Sequence, residues 1–177
     1  RIEAEMVRDN ALQVSGLLVD EVGGRSVKPY QPEGYWVHLN FPKRTYKHDA
    51  GEKQYRRGLY TYWCRTFLHP SLAAFDASTR EECVVERVRS NTPQQALVLL
   101  NDPTFVEAAR TFAEQIIAHG GKTTADKLSY AYRKALSRAP SRDESKLLSS
   151  LFDKHLKQYT EDEKAAEELL KTGLRES

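Results

Sequence analysis

From residue 92 onward, apolar positions recur at helical spacing, and a start signal introduces each run. Thr92, Pro93 and Gln95 have the form of a capping box with proline at the first helical position, where its missing N–H breaks no hydrogen bond. The helix predicted over 93–100 presents Ala96, Leu97, Leu99 and Leu100. Asp102 and Pro103 repeat the signal. The next helix sets Phe105, Ala109, Phe112 and Ile116 on one face, with Val106, Ala113 and Ile117 beside them, and stops at Gly120 and Gly121. Asn91, Asn101 and Asp102 at these starts read as caps.

Three further starts pair a hydroxyl with an acid three residues on: Thr123 with Asp126, Ser141 with Glu144, and Thr160 with Glu163. Inward positions are expected at Leu128, Tyr132 and Ala135, then at Leu148, Leu151, Phe152, His155 and Tyr159. The last helix offers Ala165, Ala166, Leu169 and Leu170 before Gly173. Short links imply antiparallel neighbours, so 92–173 is predicted to be an antiparallel helical bundle.

The upstream pattern differs. Residues 2–18 read as an amphipathic helix with Ala4, Val7, Ala11, Val14 and Leu18 inward, and Glu3, Arg8 and Gln13 elsewhere on the wheel. From 19 to 54 the periodicity disappears. Prolines and glycines there interleave with Tyr30, Tyr35, Trp36, Phe41 and Tyr46, an aromatic content that disorder lacks, so an ordered excursion over a core is expected. Over 55–67, Leu59, Tyr62, Trp63 and Phe67 match a helical face. Tyr60, Tyr62 and Cys64 also alternate as a strand would, and helix is the preferred reading. A short helical turn is predicted from Pro70 to about Asp76, and 83–88 could be extended. The predicted fold is mainly α: an N-terminal helix, a long aromatic, Pro- and Gly-rich irregular excursion, then the bundle, with at most a minor β element.

Composition narrows the function classes. A chain of 177 residues fits one domain over 1–177 and can bury a core without disulfides or metal. Its opening inside a helical pattern suggests a fragment of a larger multidomain protein, so a leader is not to be judged from it. No apolar run is long enough for a membrane span. A net charge of +2 does not point to nucleic acid. The stretch 25–57 is moderately basic and 141–177 slightly acidic, an imbalance ordinary solvated surface explains. Cys64 and Cys83 lack metal spacing and form no C-x-x-C-H, so no covalent haem is expected; whether they pair stays open. His38, His48, His69, His119 and His155 are scattered, and 49–52 is too short for a calcium loop, so no metal is expected.

Several separate motifs carry a resemblance: EAEMVRDNAL at 3–12, GGRSV with PYQPEGYW within 23–36, and YRRGLYTYW at 55–63. HPSLAAFDASTREEC at 69–83 follows, then RSNTPQQALVLLNDPTFVEAAR at 89–110. The chain resembles the planctomycete cytochrome-c-associated C-terminal domain of unknown function. That resemblance implies an extracytoplasmic protein, periplasmic or secreted, with haem in the parent protein rather than in this piece. It also implies neighbouring domains as partners and one more helix beyond this chain. The family supplies no catalytic residues to carry over.

The residues themselves offer three candidate clusters, each with a plainer structural role. His69, Asp76, Ser78, Thr79 and Arg80 could hold an acid–base site or an anion; alternatively Ser78 caps a turn that Asp76 and Arg80 hold together. Arg56 and Arg57 could present guanidinium groups to an anion or to haem propionates, or clamp the excursion onto the bundle. Tyr30, Tyr35, Trp36 and Tyr46 could form a platform for sugar rings or a partner protein, or close a small core. Two functions follow. One is a non-catalytic accessory or docking module of an extracytoplasmic cytochrome-linked protein. The other is part of an enzyme acting on polysaccharide, with Asp76, Arg80, His69 and Trp36 lining a cleft in 30–80.

Overall fold

The structure, a computed structural model, describes residues 2–31, 33–37, 45–64 and 67–175. His38 and Phe41 lie outside the described residues. The fold is mainly α, and no strand forms among the described residues.

Helix α1 (Ala4–Ser15) ends earlier than its apolar pattern suggests. Gly16 adopts a left-handed φ of 74° and returns its N–H to the carbonyls of the last turn. The face it buries is Ala4, Arg8, Leu12 and Ser15, with Val7 and Ala11 packed at its edge. Arg8 therefore lies inside, contrary to the amphipathic reading. Its guanidinium finds backbone carbonyls there, which a sequence pattern does not display.

Among the described residues irregular chain continues past 54, and the helix expected over 55–67 is not formed at 55–64. Two short 3-10 turns, Gly51–Tyr55 and Gly58–Tyr60, take its place. The backbone donors and acceptors that a helix would use internally are engaged elsewhere. Val27 donates to the Tyr60 carbonyl at 2.8 Å and accepts from Tyr62 N–H at 2.7 Å; Val19 donates to Tyr55 at 3.0 Å. These are isolated parallel bridges, the minor β element in its smallest form.

Helix α2 (Pro70–Ala74) leads to a corner between α3 (Pro93–Asn101) and α4 (Pro103–His119). Thr92 and Gln95 form the capping box, and the Asp102 carboxylate accepts from Thr104 N–H at 2.9 Å. Helix α1 packs against α2 and α4. Ala4, Leu72, Phe75, Ala77 and Phe105 make one core cluster; Leu12, Leu17 and Ala108 make a second. The inward face of α4 is thus Phe105, Glu107, Ala108 and Thr111, while Ala109, Ala113 and Ile117 are exposed. The choice follows from where α1 lies across α4.

Helices α5 (Thr124–Leu136), α6 (Arg142–Glu161) and α7 (Glu163–Leu170) pack each on its neighbour in sequence. The boxes at Thr123–Asp126 and Ser141–Glu144 form. The start expected at Thr160 does not: its hydroxyl donates back to the Leu156 carbonyl at 2.7 Å within α6, and Asp162 caps α7 instead. None of these three helices has a buried residue. Leu151 and Phe152, expected inward, are 49% and 40% exposed because no further layer covers α6.

Candidate functional site

Two buried guanidinium groups organise the N-terminal half. Arg8 reaches from α1 to the carbonyls of Arg56, at 2.7 Å, and Gln54. Burial pushes its pKa below the ordinary arginine value. Arg56 holds the tight loop 21–25 through the carbonyls of Glu21 (2.8 Å), Gly23 (2.5 Å) and Arg25 (3.0 Å), and stacks 4.0 Å over the Tyr60 ring. Five N–H donors in a planar fork suit this task. Arg57 is exposed, with its Nε 3.8 Å from the Asp9 carboxylate, whose other oxygen accepts from Gly58 N–H.

His69 is buried at the start of α2. Its Nε2 meets the Tyr30 carbonyl at 3.0 Å and its Nδ1 meets the Ser71 hydroxyl at 2.9 Å. Assigned from these partners, Nε2–H donates to Tyr30 and Nδ1 accepts from Ser71. Burial lowers its pKa to about 4, so the ring is neutral at pH 7. Gln54, also buried, accepts from Tyr30 N–H at 2.8 Å and donates to the carbonyls of Lys28 and Asp49. Both carbonyl and N–H of Tyr30 are thereby fixed.

Asp76 stands at a left-handed φ of 63° just after α2. Its carboxylate accepts from Ser90 N–H at 2.8 Å, from the Ser90 hydroxyl at 2.9 Å and from Gln95 at 3.5 Å, closing the loop 77–89 onto α3. Arg80, also left-handed, lies 3.9 Å over the Trp63 ring. Ser78 starts no helix, because the chain bends rather than coils over 80–82.

The aromatic residues of the excursion pack on one another. Trp36 is buried, donates from Nε1 to Gln31, and lies 5.2 Å from Tyr46 and 5.1 Å from Phe67. Tyr35 sits edge-on to Phe67 at 4.7 Å and keeps an exposed side. Tyr46 donates to the Pro29 carbonyl.

Of the residues singled out from sequence, Tyr30 borders a sizeable cavity, about 270 Å³, together with Gln54, Tyr55, Thr104 and Glu107. Asp76 borders only a shallow indentation with Glu3 and Arg87. Sequence reasoning did not mark Arg8, Gln54 or Glu107. Glu107 had one visible signal, its place between the apolar Phe105 and Ala108; Gln54 had none. Among the described residues, no three His, Cys, Asp or Glu side chains converge to hold a metal ion, and no helix is long and apolar enough to cross a membrane. Cys64 is buried and Cys83 exposed.

Comparison with known proteins gives the family. The chain belongs to PSD1, described as a protein of unknown function (DUF1553), whose family model matches residues 1–152. No curated protein and no solved structure matches it.

Proposed function

We propose that this PSD1 member is a non-catalytic accessory module of an extracytoplasmic, cytochrome-linked multidomain protein, and that it docks on a neighbouring domain of the same polypeptide. One observation carries the reading: α5, α6 and α7 bury no residue, and α6 leaves Leu147, Leu151, Phe152 and Leu156 exposed. At about 100° per residue, these four flank Leu148, His155 and Tyr159 on an arc of roughly half the helix circumference. Leu148 and Tyr159, near its centre, are half-buried. A gap of about 210 Å³ remains between α5 and α6, lined by small side chains such as Ala125, Ser129 and Ser149.

Contiguous exposed apolar surface on a folded chain marks an interaction site. Fully burying a leucine or phenylalanine contributes roughly 1.5–3 kcal/mol, and these four are already partly covered. A free partner must also overcome an association cost of about 4–15 kcal/mol. A domain tethered in the same chain meets an effective concentration in the millimolar range, so a modest ridge suffices. A neighbouring domain of the same chain is therefore the occupant.

The polar groups of 30–80 support the non-catalytic half of the reading. Arg56, His69 and Asp76 hold backbone and hydroxyl groups in place, and Trp36 lies within an aromatic cluster. A photo-crosslinking residue placed at Leu151 of the intact parent protein tests the docking. The expected product is an internal crosslink to another domain. Crosslinks to a second copy, or none at all, contradict it.

A further inference from the structure

The cavity beside Tyr30 is enclosed by three parts of the chain: the turn Gly51–Tyr55, the first turns of α4, and the segment 171–174 that follows α7. Its volume of about 270 Å³ lies near the lower end of small-molecule sites. Glu107, only 4% exposed, is one of its lining residues. Three donors converge on Glu107 Oε1: the Tyr55 hydroxyl at 3.0 Å, Leu174 N–H at 3.0 Å and Arg175 N–H. Oε2 receives no hydrogen bond among the described residues, yet the protein does not seal it off. The segment 171–174 fits only because residue 173 is glycine. Its φ is +107°, and a Cβ there would lie 2.7 Å from the Glu107 carboxyl carbon.

The lining decides what could enter. Tyr30 and Tyr55 offer aromatic surface, while Gln54 and Thr104 offer amide and hydroxyl groups. Glu107 and Lys171 border the same space with opposite charges, so neither an anion nor a cation is selected. A wholly apolar molecule would strip water from Oε2 and return nothing. A hydroxyl would donate to it, and a ring bearing several hydroxyls would also match the tyrosine faces.

We propose that this cavity binds a small neutral polyhydroxylated ring of monosaccharide size, with one hydroxyl donating to Glu107 Oε2 and the ring laid against Tyr30. This site is separate from the α6 ridge and does not depend on the docking reading. The ligand is held under the segment 171–175, which Arg110 also fastens through the carbonyls of Leu170 and Arg175.

The test is an amide NMR titration of the chain with D-glucose, D-galactose, D-mannose and N-acetylglucosamine in turn. At least one should shift the amides of Tyr55, Glu107 and Leu174 saturably, with a dissociation constant in the millimolar range or below. Glu107→Gln should weaken that binding at least about tenfold, as loss of a charged acceptor implies. Tyr30→Ala should weaken it too. Its backbone contacts to Gln54 and His69 do not need the ring, so the fold is kept if Glu107→Gln disturbs the segment 171–175. Absence of saturable shifts with all four sugars overturns the proposal. So does binding that neither variant changes, or binding of acetate or methylammonium at these amides in place of the sugars.

Discussion

The Arg8 guanidinium donates to the carbonyl of Arg56 across 2.7 Å, and the Arg56 guanidinium holds the carbonyls of Glu21 and Arg25 at 2.8 and 3.0 Å. This relay fastens α1 to the turn at 51–56, and that turn to the loop 21–25. Removing Arg8 leaves the buried carbonyls of Gln54 and Arg56 without a donor. Arg8→Ala is expected to destabilise the chain by about 2–4 kcal/mol in urea denaturation. Arg8→Lys should recover less than half of that, because one ammonium does not match the two-pronged geometry.

Asp76 is expected to be structural in the same sense. Asp76→Ala removes the acceptor for Ser90 and Gln95 and places alanine at a left-handed φ. The loss should be about 2–3 kcal/mol. Asp76→Asn keeps one acceptor oxygen and tolerates that φ, so it should lose about half as much. Thermal or urea unfolding of both variants checks the order; an unperturbed Asp76→Ala protein would sink the assignment.

His69 makes stability depend on pH. Its folded pKa, about 4, lies below the ordinary 6.5 because burial disfavours the charged ring. Between these values the unfolded chain binds a proton that the folded chain does not, so stability falls as pH drops from about 6.5 toward 4. The full contribution, on the order of 3 kcal/mol, is present above pH 6.5. Urea midpoints measured from pH 4 to 8 should show this slope, and His69→Gln should flatten that component of it.

Gly58 is where α1 rests on the excursion. A Cβ at 58 would stand 3.0 Å from the Glu5 backbone, so α1 must shift to admit even a methyl group. Gly58→Ala should cost about 1–3 kcal/mol, although alanine is the better residue by helix propensity. Gly58 does not adopt a left-handed φ, so the contact with Glu5 alone sets that cost. Denaturation midpoints should show Gly58→Ala broadening or shifting the core transition, with changed amide shifts along α1.

The α3–α4 corner was legible because its signals act within one turn: Thr92 with Gln95, and Asp102 with Thr104. The path of 55–64 was not, because Tyr55, Tyr60 and Tyr62 bond to Val19 and Val27, more than thirty residues away. Arg8 looks like a solvent-facing charge outside the apolar stripe, since its partners are carbonyls that every residue carries. For the same reason composition offers Arg56 both a ligand and a clamp role without choosing between them. The apolar arc of α6 can be read from sequence, but whether another layer covers it cannot. The cavity at Glu107 joins positions 30, 54, 107 and 171, a neighbourhood created only by the return of the chain after α7.

Docking through α6 is tested most directly by hydrogen exchange, comparing this chain alone with the intact parent protein. Amides of α6 and α7 should exchange readily in the isolated chain and become strongly protected in the parent, while α1 and α4 change little. Equal exchange of α6 in both would contradict it.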